Sequence, residues 1–290
     1  MGIDRKKIVW LASYPKSGNT WFRIFLSNLL NEDESSININ NLKAAPIASS
    51  RILFDDNTGA ASSDMTTEEI EELRPEIYRQ VADEAVEKLF FKVHDAWKLT
   101  PSGKSMFPKE ITKAVVYFIR NPLDVTVSYA FHSNLPPSEI IKQVNNERNA
   151  FAQKSNRLNK QIKQDLCDWS GHVISWVDGS GLPIIVLRYE DMITDTFSTF
   201  QKALQFIGIE KSENEVLNAI KASSFSKLQE YESIDGFKEK PIGMKAFFRK
   251  GSIGDWREHL SKNDVKSLIE KHKVLMERYG YLEENNPVFK

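Results

Sequence analysis

Cysteine is almost missing. Cys167 is the only one in 290 residues, so no internal disulfide can form and no Cys₂His₂ or Cys₄ zinc site can be assembled. Long hydrophobic runs are missing too. No apolar stretch approaches the roughly 18–20 residues of a membrane span, and Ile8–Ala12 is too short for a signal-peptide core. Charge of one sign is also lacking. The 39 Lys+Arg stand against 40 Asp+Glu, a net charge of −1, which argues against holding nucleic acid by bulk electrostatics. With 13 Gly and 11 Pro the chain is no collagen, and no Ser/Gly-rich linker divides it. These absences lead to the expectation of a cytoplasmic protein with no metal, no membrane segment and no nucleic-acid partner. They leave room for a local basic pocket.

What is present is an ordinary globular composition, 41% hydrophobic and 27% charged. A length near 290 permits one or two domains. With no linker, the reading is a single domain over 1–290 with its core at about 8–280. Ile8–Ala12, Leu89–Val93, Val115–Ile119 and Pro183–Leu187 are continuous apolar runs, the signature of strands buried on both faces. Helical spacing occupies Thr20–Leu30, Thr66–Leu89 with a break expected at Pro75, Leu123–Phe131, Leu158–Val177, Phe197–Ile207 and Val265–Tyr279. Strand and helix in alternation predict an α/β fold, a mostly parallel central sheet flanked by helices. Asn31–Ser63 and Ser233–Arg249 read as irregular, long loops of the kind that often serve as lids or substrate loops.

The densest signal is Trp10-Leu-Ala-Ser-Tyr-Pro-Lys-Ser-Gly-Asn-Thr-Trp21. A buried strand enters a tight loop and a helix starts directly after it, a P-loop-like strand–loop–helix. Gly18 lets the backbone approach a ligand. The helix start offers free N–H groups, and Lys16, Ser17, Asn19 and Thr20 add donors, which together suit a phosphate. It is not a Walker A loop, because Lys16 precedes the glycine instead of following it.

Tyr14-Pro-Lys-Ser-Gly-Asn-Thr-Trp21 resembles the 5′-phosphosulfate loop of the cytosolic-type sulfotransferases, and looks more like their bacterial members. These enzymes use 3′-phosphoadenosine-5′-phosphosulfate (PAPS) as sulfuryl donor. Three more segments agree in order. Arg120-Asn-Pro-Leu-Asp-Val-Thr-Val-Ser128 is similar to the family's 3′-phosphate motif, with Arg120 and Ser128 as the implied contacts and Asp124 read as a helix-start residue. Arg249-Lys-Gly-Ser-Ile-Gly-Asp-Trp256 resembles the family's R-K-G-x-x-G-D-W signature, implying that Arg249, Lys250 and Gly251 hold the same phosphate. Arg188-Tyr-Glu-Asp-Met192 and Ser223-Ser-Phe225 are similar to nucleotide-side segments, which implies roles for Tyr189, Ser223 and Phe225 and stacking of Trp21 on adenine.

Phe90-Phe-Lys-Val-His94 resembles the family's K-x-H strand end, whose His is the general base. Neutral His suits that task, with an ordinary pKa of about 6.5. The family often carries Pro two residues later; here Asp95-Ala-Trp97 follows. Lys92 shares a strand face with His94, since residues two apart point the same way, and is expected to help hold sulfuryl oxygens. The catalytic set is then His94, Lys16 and Lys92. The implied reaction is in-line transfer from PAPS to a hydroxyl of a small-molecule acceptor, leaving 3′,5′-adenosine bisphosphate, with no metal. The alternatives are a P-loop-like nucleotide or small-molecule kinase, and a catalytically inactive relative that holds the nucleotide. His132, His172, His259 and His272 lack such context and read as structural or solvated. Trp97, Phe131 and Phe247 fit an apolar pocket or core packing equally. A monomer or a homodimer is expected.

Overall fold

The computed structural model describes residues 6–31, 39–40, 42, 45–153, 159–241 and 243–282. The chain runs through β1 (Ile8–Ser13), α1 (Asn19–Leu29), α2 (Arg51–Thr58), α3 (Thr67–Glu84), β2 (Leu89–Val93) and β3 (Thr112–Ile119). It continues through α4 (Pro122–Ser133), α5 (Pro137–Val144), β4 (Ala150–Phe151), β5 (Gln164–Asp165), α6 (Trp169–Val177) and β6 (Ile184–Arg188). It closes with α7 (Tyr189–Thr194), α8 (Thr196–Ile207), α9 (Glu213–Ala222), α10 (Phe225–Asp235), α11 (Trp256–His259) and α12 (Lys262–Arg278).

Strands β2-β1-β3-β6 form a four-stranded sheet in that order, every pair parallel. β1 is buried throughout because it lies inside the sheet and is covered on both faces. Its side chains alternate between two cores. Ile8, Trp10 and Ala12 join Tyr78 of α3, Trp169, Val173 and Trp176 of α6 and Leu268 of α12. Val9 and Leu11 join Phe22 and Phe25 of α1, Phe200 and Leu204 of α8 and Val216 of α9. β3 repeats the pattern with Val115 and Tyr117 on one side and Val116 and Phe118 on the other. This two-sided burial is why these strands read as unbroken apolar runs. Trp10 keeps its indole N–H satisfied by donating to Thr112 Oγ1 at 2.9 Å, which makes its complete burial tolerable.

Four local expectations need correction. Pro75 does not break α3, which continues from Thr67 to Glu84. The lost backbone bond is outweighed by neighbours that fix the helix on either side: Arg74 pairs with Asp95, and Ile77 and Tyr78 are buried. The 158–177 pattern is helical only from Trp169, where the Asp168 side chain caps α6 by accepting from Gly171 N–H at 2.6 Å. Before it, Ile162 N–H donates to Ser49 O at 2.9 Å and Gln164–Asp165 pairs with Ala150–Phe151, so tertiary pairing overrides a helix-like spacing. The 31–63 stretch contains α2, capped by Ser50 and ended by left-handed Gly59; its residues 32–38, 41, 43 and 44 lie outside the described ones. In the 233–249 stretch, α10 takes the beginning up to Asp235. The residues after it are irregular as expected, apart from residue 242, which also lies outside the described ones.

Candidate active site

Chain connections leave β1 toward β2 on one side and β3 toward β6 on the other. Their carboxyl ends therefore border a crevice, the usual ligand position in such sheets. A cleft of about 1160 Å³ opens there.

The loop after β1 forms its floor. Lys16 (φ 71°) and Gly18 (φ 99°) both take left-handed backbone. Glycine is required at 18, where a Cβ would lie 2.8 Å from the Tyr189 ring. At Lys16 the same geometry costs about 1–2 kcal/mol, strain held by the packed strand and helix on either side. α1 then starts with no side-chain cap and no acidic residue in its first turn, so its first N–H groups are left for a ligand. Ser17 Oγ and Asn19 Oδ1 are buried with no protein partner. Asn19 braces the loop instead through Nδ2, which donates to Leu11 O at 2.7 Å and Ser13 Oγ at 3.2 Å. Buried polar atoms without partners are rare in a native fold; of these two only the Ser17 hydroxyl can donate, and it sits beside the free N–H groups where an anion fits.

Lys16 and Lys92 both enter the cleft and are held differently. Lys92 Nζ pairs with Glu239 Oε2 at 2.8 Å, and Glu239 also accepts from Arg23 Nη1 at 2.7 Å. Lys16 Nζ instead lies 3.2 Å from His132 Nδ1 and 4.4 Å from the Phe247 ring centre. Burial, then the charges of Lys92 and Arg120, push the Lys16 ammonium down to about 7. Burial also lowers Lys92, against the opposing pull of Glu239; burial would raise Glu239 in turn, but Lys92 and Arg23 hold it well below the usual carboxylate range.

His94, at the end of β2, faces the same space. Its Nδ1 lies 2.9 Å from Ser13 O. A carbonyl only accepts, so Nδ1 carries the proton and Nε2 keeps a lone pair. Burial, then Lys92, holds its pKa well below the ordinary histidine value. Behind it, His172 Nε2 bonds to His94 O at 3.1 Å while its Nδ1 meets Tyr117 OH at 2.7 Å. Asp95, in the segment where the family motif departs, makes a buried two-pronged pair with Arg74, 2.8 Å on each prong. That pair ties the end of β2 to α3.

The far end is basic. Arg120 donates to Lys16 O at 3.2 Å and Ser252 O at 3.0 Å and lies 4.2 Å above the Tyr189 ring, with its Nε buried and unpartnered. Ser128, one helix further, lines the same wall. Arg249 stacks 4.0 Å over Phe131, and both Arg249 and Lys250 pair with Asp255. Left-handed Gly251 (φ 61°) lies against Phe225, whose ring a Cβ would meet at 2.5 Å. Asp124 does more than start a helix. Its oxygens accept from Gly254 N–H at 2.8 Å and Trp256 N–H at 3.0 Å, fastening the 249–256 loop to α4.

Of the residues read from the sequence, Lys16, Ser17, Gly18, Asn19, Thr20, Trp21, Lys92, His94, Arg120, Ser128, Tyr189, Phe225, Arg249, Lys250 and Gly251 all line this cleft. Ser223 does not. Its hydroxyl donates to Ala219 O at 2.8 Å within the helix end, and only its carbonyl serves the site, by accepting from Trp21 Nε1 at 2.9 Å. Phe247 lines the cleft, whereas Trp97 packs on the core. The sequence reading missed Arg23, Glu239 and His132. For His132 a signal existed: it follows Ser128 by four residues on one helix, hence on the same face.

Known proteins resemble this chain in sequence and fold. A family model described as the sulfotransferase domain matches residues 6–280. The 3-alpha-hydroxysteroid sulfotransferase of Cavia porcellus is 33% identical over 165 residues, 54% of this chain and 54% of that protein. The chain thus spans about half the length of that relative. The flavonol 3-sulfotransferase of Flaveria bidentis is 24% identical over 94% of this chain and 81% of its own length. Among solved structures, retinol dehydratase in complex with androsterone and inactive cofactor PAP superposes with TM-score 0.61 at 20% identity, covering 95% of this chain and 82% of that one. Mouse sulfotransferase SULT7A1 complexed with PAP gives TM-score 0.59 at 17% identity, covering 98% and 87%. The fold is shared with both.

Proposed function

This chain belongs to the sulfotransferase-domain family, and from that premise we propose that it transfers a sulfuryl group from PAPS to a hydroxyl of a small-molecule acceptor. The same reading takes 1–290 as one catalytic unit with its core at about 8–280. The observation that carries it is the meeting, in one cleft, of an uncapped helix start, the loop Lys16 just before it and a histidine whose Nε2 is kept as a free base.

PAPS, when bound, supplies the sulfuryl group and a phosphate leaving group. The protein does the rest. The N–H groups opening α1 and the unpartnered Ser17 hydroxyl suit its 5′-phosphate, and Arg120 with Ser128, Arg249 and Lys250 suits its 3′-phosphate. Trp21, Tyr189 and Phe225 offer aromatic faces and edges for the base. His94 Nε2 accepts the acceptor's proton as the oxygen attacks sulfur, while the Nδ1–H to Ser13 O fixes the ring. Lys16 stabilises charge that grows on the leaving oxygens, and Lys92 does the same for the sulfuryl oxygens. The fit to a doubly phosphorylated nucleotide explains why a chain of net charge −1 concentrates cations here.

The test is transfer of labelled sulfate from PAPS to a panel of alcohols and phenols. The reading requires transfer by the native protein and its loss in His94→Ala. Thermal stabilisation by Mg²⁺·ATP but not by 3′,5′-adenosine bisphosphate, with no transfer, would overturn it in favour of a kinase.

A further inference from the structure

The geometry points to His132 as a positioning residue for sulfuryl transfer, holding the Lys16 ammonium in place through its Nδ1. This rests on the function proposed above. Lys16 Nζ and His132 Nδ1 are 3.2 Å apart. Phe247 closes the other side, 4.4 Å from the ammonium and edge-on to the His132 ring at 5.7 Å. A lysine side chain has four rotatable carbons, and an ammonium at a reacting centre must be held to be useful. Among the described residues no carboxylate pairs with Lys16, whereas Lys92 has Glu239.

A neutral imidazole suits this role better than a carboxylate. It accepts one hydrogen bond from the ammonium without cancelling its charge. Nδ1 is the acceptor, so Nε2 carries the ring proton. His132 stays neutral across the working range, because burial and then Lys16 and Lys92 push its pKa down to about 3. The groups facing Lys16 are Lys92 from β2, Arg120 from the end of β3, Glu239 and Phe247 from the 236–249 segment and His132 from α4. Of these only His132 offers it a neutral lone pair. Since α4 carries Ser128 one turn earlier, a single helix presents both side chains to the cleft. His132 acts through Lys16 and needs no contact with the reacting atoms.

The experiment compares native protein, His132→Leu and His132→Asn, whose Oδ1 falls near the Nδ1 position. We expect His132→Leu to lower kcat about ten- to hundredfold, the worth of one hydrogen bond to a charged group. Binding of 3′,5′-adenosine bisphosphate, followed by titration calorimetry, should change less than the rate. The alkaline limb of kcat/KM should move to lower pH, because Lys16 loses the bond that favours its charged form. His132→Asn should restore both. If His132→Leu does not fold, His132→Ala with and without added imidazole reads the same rescue. Equal rates and unmoved limbs in the Leu and Asn variants would overturn the role. A native protein that neither binds the nucleotide nor transfers sulfate would instead overturn the proposed function.

Discussion

Glu239 and Lys92 are 147 positions apart in sequence and 2.8 Å apart in space. The same carboxylate takes a second bond from Arg23, a residue only 2% exposed. A segment with no regular structure is thereby pinned to the end of β2 and to α1 by charge.

That pair gives the first prediction. Glu239→Gln leaves two cations facing each other with little water, and breaking one partner of a buried pair costs about 3 kcal/mol. In a protein of this size the melting temperature should fall by about 6–12 °C, measured without nucleotide. The pH dependence has a definite sign. The folded carboxyl is depressed below its unfolded value of about 4.3, so its contribution is complete above that value and is lost as pH falls. The gap between native and Glu239→Gln should be constant above about pH 5.5 and shrink below pH 4. A gap independent of acidification would refute the pairing.

Lys16→Ala should lower kcat by about 10²–10³-fold, the loss typical of one preorganised charge-stabilising donor. Circular dichroism and melting should stay near native, because the substitution removes no core packing. Unchanged turnover with PAPS would dismiss Lys16 as a catalytic group.

The pH profile should be asymmetric. His94 is held neutral well below 6.5 by burial, so kcat/KM should not fall through the usual histidine range on the acid side. On the alkaline side it should decline from about pH 7, where Lys16 in the free protein loses its proton. A bound polyanion favours the charged lysine, so the limb in kcat should lie higher. Lys16→Arg, which stays protonated, should remove the alkaline limb from kcat/KM. An unchanged limb in that variant would assign it to another group.

Asp124→Asn changes few atoms but turns one acceptor into a donor. Its Nδ2 would face either Gly254 N–H or Trp256 N–H, both of which now donate to Asp124. We expect affinity for 3′,5′-adenosine bisphosphate to fall about tenfold as the 249–256 loop loosens, with KM for the acceptor unchanged. Calorimetric titration distinguishes this from a helix-start role, which would lower stability and leave nucleotide affinity alone.

The four sheet strands were legible because burial on both faces leaves an apolar run that local reading detects. β2 begins and ends where expected, β1 and β3 differ by one and three residues at one end, and β6 is shifted by one residue at both ends. The strand–loop–helix around Lys16 was legible because its residues are consecutive. The helix expected at 158–177 forms only from Trp169, because Ile162 and Leu166 have helical spacing yet answer to distant partners, Phe54 and Ile77 for the first and the main core for the second. The direction of the Ser223 hydroxyl was not legible, because a hydroxyl at a helix end can turn inward to Ala219 O, as it does, as readily as outward.

Composition and order alone therefore determined an α/β sheet and a first strand–loop–helix with the donors of an anion site around Lys16, while Lys92, His94, Arg120 and Arg249 became candidates through the resemblance of their short segments to family motifs. Tertiary structure alone decided which groups govern those candidates. Glu239 on Lys92, His132 and Phe247 on Lys16, and Ser13 O on His94 are encounters between segments far apart in the chain. Their effect depends on distance and burial, since Coulomb and hydrogen-bond energies rise sharply when water is excluded. Neither quantity is written in local spacing.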